Sequence, residues 1–271
     1  MLTLFRSVFA PPRHLILLLV AAWLGDALAS KRAGDAPGRR RAADALAGSM
    51  LIAFLVGGRA LFLLAHIPAF IQSPISLISL NTDLFDAWGG AVCAVVAGMV
   101  VTRREQLGVW KTLDLITPLL ALLAIGVSLS DLAAGTAFGR ETNAAWAITL
   151  WGAQRHPTQI YELIVGLIAL GVVWVRPRDS VEGSRFLVWA ALSAGGRLIT
   201  EAFRGDSTLV LGGLRLAQLI AWVVLAAALA GLEFLQARRQ ARHTQGANAE
   251  DDEANNSPES ERTAPSNRRA R

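Results

Sequence analysis

Cysteine is nearly absent from this chain, and charge is scarce. A single cysteine, Cys93, lies inside an apolar run, so no disulfide framework can form within the chain. No base stands near it in the sequence, so it reads as a packed thiol rather than a nucleophile. Four isolated histidines and one cysteine do not make the ligand spacing of a zinc site. Charged residues are 17% of the total, against roughly 25% in an average soluble domain. No internal repeat is evident.

What is there is apolar. Of the 271 residues, 53% are hydrophobic, the mean hydropathy is positive, and apolar runs near the bilayer-spanning length of about 20 residues recur along the chain. This pattern predicts an all-α polytopic membrane protein rather than a soluble domain with a large core. Seven spans are expected, at roughly 14–30, 44–67, 84–102, 112–136, 158–175, 184–204 and 213–236. The first is read as a retained span: it carries Trp23 and Asp26, and basic residues follow it directly.

The connections alternate in charge. The first holds Lys31, Arg32, Arg39, Arg40 and Arg41, whereas the second, from Pro68 to Asp83, has no Lys or Arg. The third holds Arg103, Arg104 and Lys111, the fifth Arg176, Arg178 and Arg185, and the C-terminal tail opens with Arg238, Arg239 and Arg242. Basic connections face the cytoplasm, which places the N-terminus outside and the C-terminus in the cytoplasm, as seven spans require. The formal charge of +5 therefore reads as topology, not as nucleic-acid binding. Residues 1–236 form the membrane unit, and the polar stretch 237–271 is expected to be disordered, because it cannot bury enough apolar surface to fold.

Ionisable residues within or beside spans are costly, roughly 2.5–3.5 kcal/mol each at a helix centre, and so point to a site or to pairing. Arg197 and Glu201 are four apart and share a helix face. They can form an ion pair that only locks helices, or Arg197 can join Arg204, Arg155 and Arg59 in an anion-binding group, since Arg suits bidentate contact with phosphate. Gly57 and Gly58, just before Arg59, permit close helix approach. Asp114 is read as a residue of its own helix's first turn, near the amide dipoles. The densest polar run, Arg155-His156-Pro157-Thr158-Gln159-Ile160-Tyr161-Glu162, stands at the outer mouth of the fifth span. Its His156 could move a proton near neutral pH.

This octapeptide resembles the "RHPSQLYE" signature of bacterial prolipoprotein diacylglyceryl transferases. Further pieces follow the same order. Gly57-Gly58-Arg59 is similar to "G-[AG]-R", Gly89-Gly90 to the end of "HGG", and Asp114-Leu115-Ile116-Thr117-Pro118 to "DLLAP". Phe138-Gly139-Arg140-Glu141-Thr142 with Trp146-Ala147 is similar to "YGKPT…PWAV", and Arg197 through Asp206 to "RFLVEFFRGD"; Gln218 fits the glutamine of the last span. The resemblance covers about residues 45–235. It implies an enzyme of the bacterial plasma membrane that moves the diacylglyceryl group of phosphatidylglycerol to the lipobox cysteine of a prolipoprotein signal peptide, with no cofactor. On this resemblance His156, Arg197 and Glu201 are the candidate catalytic residues, and Arg59, Arg140, Arg155, Tyr161 and Arg204 the candidate headgroup contacts.

Two positions depart from the family pattern. Trp88 stands where the "HGG" histidine falls, and Ser128 where the arginine of "GRxGN" falls when the count starts from Pro118. A second register sets Gly139 to Asn143 on "GRxGN" and supplies Arg140 instead. The alternatives to an active transferase are a catalytically weakened paralogue that binds phospholipid or prolipoprotein, and a transporter with a buried Arg–Glu pair.

Overall fold

Long apolar runs in a chain with few breakers fold as helices, since only a helix satisfies its own backbone in an apolar surrounding. The computed structural model describes residues 13–34, 37–72, 85–177, 180–210 and 212–255. Among them are seven helices of 18 residues or more and one short helix: α1 (Arg13–Ala33), α2 (Pro37–Ala65), α3 (Ile67–Gln72), α4 (Ala87–Arg104), α5 (Val109–Ala134), α6 (Thr158–Val175), α7 (Ser184–Glu201) and α8 (Leu216–Asn255). Four stretches, Gly38–Ala65, Val109–Ala134, Thr158–Val175 and Leu216–Ala241, are long and apolar enough to cross a membrane. Arg6, residues 73–83 of the second connection, Arg178 and the tail from 256 lie outside the described residues.

Two connections fold further than expected. The fourth forms a hairpin of β1 (Ile148–Leu150) and β2 (Ala153–Arg155), with Ile148 opposite Arg155. Its two-residue turn has positive φ at both Trp151 and Gly152, the conformation that suits the twist of a tight hairpin. The sixth forms β3 (Leu209–Val210) and β4 (Leu214–Arg215).

The helices lie side by side in the spatial order α4, α2, α1, α5, α6, α7, α8. Small residues set the closest approaches. A Cβ on Gly57 would stand 2.5 Å from the Cys93 side chain, which is how α2 meets α4, and one on Gly126 would overlap Ala21 where α5 meets α1. Central α5 is the most buried of the four spanning stretches.

Helix ends that lack their own caps are closed from elsewhere. Gly183 before α7 offers no side chain. Instead the Asp114 carboxylate of α5 accepts from the amides of Gly183 at 2.7 Å, Phe186 at 3.0 Å and Arg185 at 3.1 Å. Asp114 thus serves the N-terminus of α7, not of its own helix as the sequence suggests. Arg32, at the end of α1, donates to the Trp174 carbonyl at 2.6 Å and to that of Arg176, closing the C-terminus of α6.

α8 runs on without interruption to Asn255, into the polar stretch that begins at 237. Extending an existing helix needs no new nucleus, and the Ala, Gln, Arg and Glu of this stretch are good helix formers. Burial is not required where propagation and propensity suffice.

Candidate active site

Three chain segments meet at the start of α6. The strand end Arg155-His156 runs against residues 139–141, and these run against 203–205 at the exit of α7. The bonds are backbone ones: His156 N–H to Arg140 O at 3.0 Å, Arg140 N–H to Phe203 O at 2.8 Å, and Gly205 N–H to Phe138 O at 2.9 Å. Gly139 is obligatory here, because a Cβ would overlap the His156 carbonyl. Gly139→Val is expected to destabilise the protein by about 2–3 kcal/mol through forced separation of these strands, read as a lower unfolding temperature of the purified protein.

The first turn of α6 is pinned by its own polar side chains. Thr158 Oγ1 donates to Ala137 O and Gln159 Nε2 to Thr136 O, both at 2.6 Å. Both residues are fully buried, and Ala137 takes a positive φ of 55° that aims its carbonyl at Thr158. The octapeptide is therefore anchored through its middle, while its flanking residues face other groups.

At the end of the octapeptide a charged cluster forms. Glu162 Oε1 receives Arg197 Nη1 at 2.6 Å and Arg204 Nη1 at 3.1 Å. Arg197 Nη2 lies 3.1 Å from Glu201 Oε2, the i,i+4 pair expected from the sequence. Arg204 is gripped by both oxygens of Asp206, at 2.9 and 3.0 Å. Glu162, Glu201 and Asp206 surround the Arg204 guanidinium with negative charge. Arg215 ties the turn together, donating to the carbonyls of Glu201 and Arg204 and to Ser207 Oγ. A basic side chain on the exposed carbonyls of a helix end is favourable.

A second, aromatic group adjoins through α6. His156 Nδ1 is 3.2 Å from Tyr161 Oη, which also accepts from Trp146 Nε1 at 2.7 Å. The Phe203 ring stands edge-on to both His156 and Tyr161, at centroid distances of 5.1 and 5.7 Å.

The structure therefore gathers His156, Tyr161, Arg197, Glu201 and Arg204 at one end of α6 and α7. The other sequence candidates sit differently. Arg155 is braced in the hairpin, paired with Glu141 at 3.1 Å and lying over the Phe138 ring at 5.0 Å. The Arg140 backbone is central to the strand crossing, but its side chain is exposed and makes no hydrogen bond or ion pair among the described residues. Arg59 lies over the Phe70 ring at 5.9 Å. Trp88 is 83% exposed. Ser128 is buried and its hydroxyl is spent on the Ala124 carbonyl of its own helix.

Sequence reasoning left three members of the cluster without a role: Glu162, Asp206 and Arg215. The first two were inside the quoted motifs, and the need to neutralise two half-buried arginines was the available signal. Arg215 carries no such signal. Among the described residues there is no group of His, Cys, Asp and Glu suited to a metal ion.

Comparison with known proteins gives this arrangement a family. Residues 14–233 match the family model described as prolipoprotein diacylglyceryl transferase. The phosphatidylglycerol–prolipoprotein diacylglyceryl transferase of Finegoldia magna is 31% identical over 176 residues, 64% of this chain and 70% of that protein. Proteins of the same name from Nostoc sp. and Trichormus variabilis are 29% and 28% identical over 210 residues, 70% of this chain and 73% of theirs. The chain is a multi-pass membrane protein, and it belongs to the prolipoprotein diacylglyceryl transferase family.

Proposed function

We propose that this protein transfers the diacylglyceryl group of phosphatidylglycerol to the lipobox cysteine of prolipoproteins in a bacterial inner membrane; its relatives are named as phosphatidylglycerol–prolipoprotein diacylglyceryl transferases. The observation that carries this reading is the convergence of Arg197 and Arg204 on one oxygen position beside the family octapeptide. Seven spans with the N-terminus outside, read from the alternation of basic connections, put that position at the outer membrane face, where a phospholipid headgroup is met.

The reaction forms a bond from the cysteine sulfur to the glyceryl carbon and breaks the bond from that carbon to the phosphate oxygen. The thiol proton goes to a base, and glycerol phosphate leaves with one more negative charge on its phosphate. Two guanidinium groups aimed at that phosphate stabilise the charge as it develops. His156, held by Tyr161 and Phe203, is the candidate proton acceptor. Glu201 keeps Arg197 oriented.

A second reading, a weakened paralogue that binds phospholipid or prolipoprotein without efficient transfer, is favoured by one observation. The Ser128 hydroxyl is bonded within its own helix and offers nothing to an anion. The two readings separate in one assay: purified protein, phosphatidylglycerol and a lipobox peptide, with glycerol phosphate release followed. Release is expected from an active transferase. Retention of bound phosphatidylglycerol without release would favour the paralogue.

A further inference from the structure

The charged cluster is already neutralised from within. Arg197, Arg204 and Arg215 supply three positive charges, and Glu162, Glu201 and Asp206 supply three negative ones. A phosphodiester brought to the guanidinium groups of Arg197 and Arg204 would leave this half-buried site with an excess of negative charge. Like charges at such separation and burial repel strongly, so one carboxylate has to give way for the anion to bind.

The three carboxylates are not equivalent. Glu201 is fully buried and lies on the same helix as Arg197. Asp206 holds Arg204 with both oxygens, two residues away in sequence. Glu162 comes from a different helix and engages both arginines through Oε1 alone. Two guanidinium N–H groups that converge on a single point can serve a phosphate oxygen there as well as a carboxylate oxygen, since both are charge-assisted acceptors for Arg. Glu162 Oε1 occupies that point.

Resting on the reading that Arg197 and Arg204 hold the headgroup phosphate, we propose that Glu162 is the resident anion of that site, which the phosphate displaces on binding. With lipid absent, Glu162 keeps the two arginines neutralised and oriented toward one point. The phosphate takes over that point, and Glu162 turns aside. After transfer the leaving glycerol phosphate carries more charge than the lipid did and would be held more tightly by two arginines; the returning carboxylate competes it off. Glu162 is thus a positioning residue whose charge sets lipid affinity and product release.

The sign of one substitution tests this. Glu162→Gln keeps the shape and an acceptor oxygen but removes the competing charge. The full chain in detergent micelles is titrated with a fluorescent phosphatidylglycerol, and with glycerol phosphate as competitor. The expected result is a Kd for phosphatidylglycerol lower by roughly tenfold, with glycerol phosphate competing more strongly to a similar degree. A residue that merely pins two helices would give the opposite, since the arginines would lose their fixed point. Binding equal to or weaker than wild type, at an unchanged unfolding temperature, overturns the proposal. Should that variant not fold, Glu162→Asp withdraws the carboxylate by one methylene and is expected to tighten binding a few-fold; unchanged or weaker binding overturns the proposal equally. Arg197→Ala and Arg204→Ala are measured alongside. If both bind phosphatidylglycerol as wild type does, it is the reading of the arginines as the phosphate contacts that fails, whatever Glu162 does.

Discussion

Replacing Arg197 with alanine is expected to lower kcat/KM for diacylglyceryl transfer by roughly 10²–10³-fold, the range seen when one donor to a developing oxyanion is removed. Arg197 bridges Glu162 and Glu201 with two different nitrogens, at 2.6 and 3.1 Å. That fixes the plane of its guanidinium before any substrate arrives, and the Glu201 contact can keep it fixed when phosphate takes the place of Glu162. Arg197→Lys restores the charge but not the two-nitrogen bridge, so it should recover only part of the loss, and chiefly in KM. Glycerol phosphate release, measured at several phosphatidylglycerol concentrations, gives both parameters. A kcat/KM within twofold of wild type for Arg197→Ala would mean that the ion pair only joins helices.

The second large effect concerns stability. Asp114→Ala is expected to cost about 2–4 kcal/mol, read as a drop in unfolding temperature of the purified protein, because three amides at the start of α7, one buried and two partly buried, lose a charged acceptor. Gly183 cannot compensate, having no side chain. Asp114→Asn should fall between the two, since its carbonyl can still serve the amides of Arg185 and Phe186 while its NH2 group faces the Gly183 amide donor to donor. The charged cluster sits at the other end of α7, so activity at low temperature should change far less than stability. Loss of activity in step with unfolding would fit this account, whereas a stable but inactive Asp114→Ala would assign Asp114 a role in the chemistry.

Some of this was legible in the sequence, and the reasons differ by element. The limits expected for the fifth span, 158–175, coincide with α6. Pro157 is suited to the edge of a helix, and Arg176-Pro177 stops it on the other side. The pairing of Arg197 with Glu201 followed from helical spacing alone. The octapeptide identified the family, which the family match over residues 14–233 bears out.

Other parts were not legible, because they depend on distance in space. Asp114 and Gly183 are 69 positions apart, and nothing in a local pattern says which helix an acid will cap. The same holds for Arg32 on the end of α6, 142 positions away. The polar continuation of α8 to Asn255 has no signal in composition, which measures what a segment can bury and not whether a helix is already propagating into it. Arg155 stood in the motif beside His156 and was read with it. The antiparallel register of the hairpin instead sends it to Glu141 and Phe138, since successive residues of a strand point to opposite faces.

The measurement that bears most directly on the central claim is the mass of a lipobox peptide after incubation with the purified protein and phosphatidylglycerol. The account predicts that the peptide gains one diacylglyceryl group, that its cysteine no longer reacts as a thiol, and that Arg197→Ala suppresses the gain. A peptide recovered at its original mass with a free thiol, while phosphatidylglycerol remains bound to the folded protein, would contradict it.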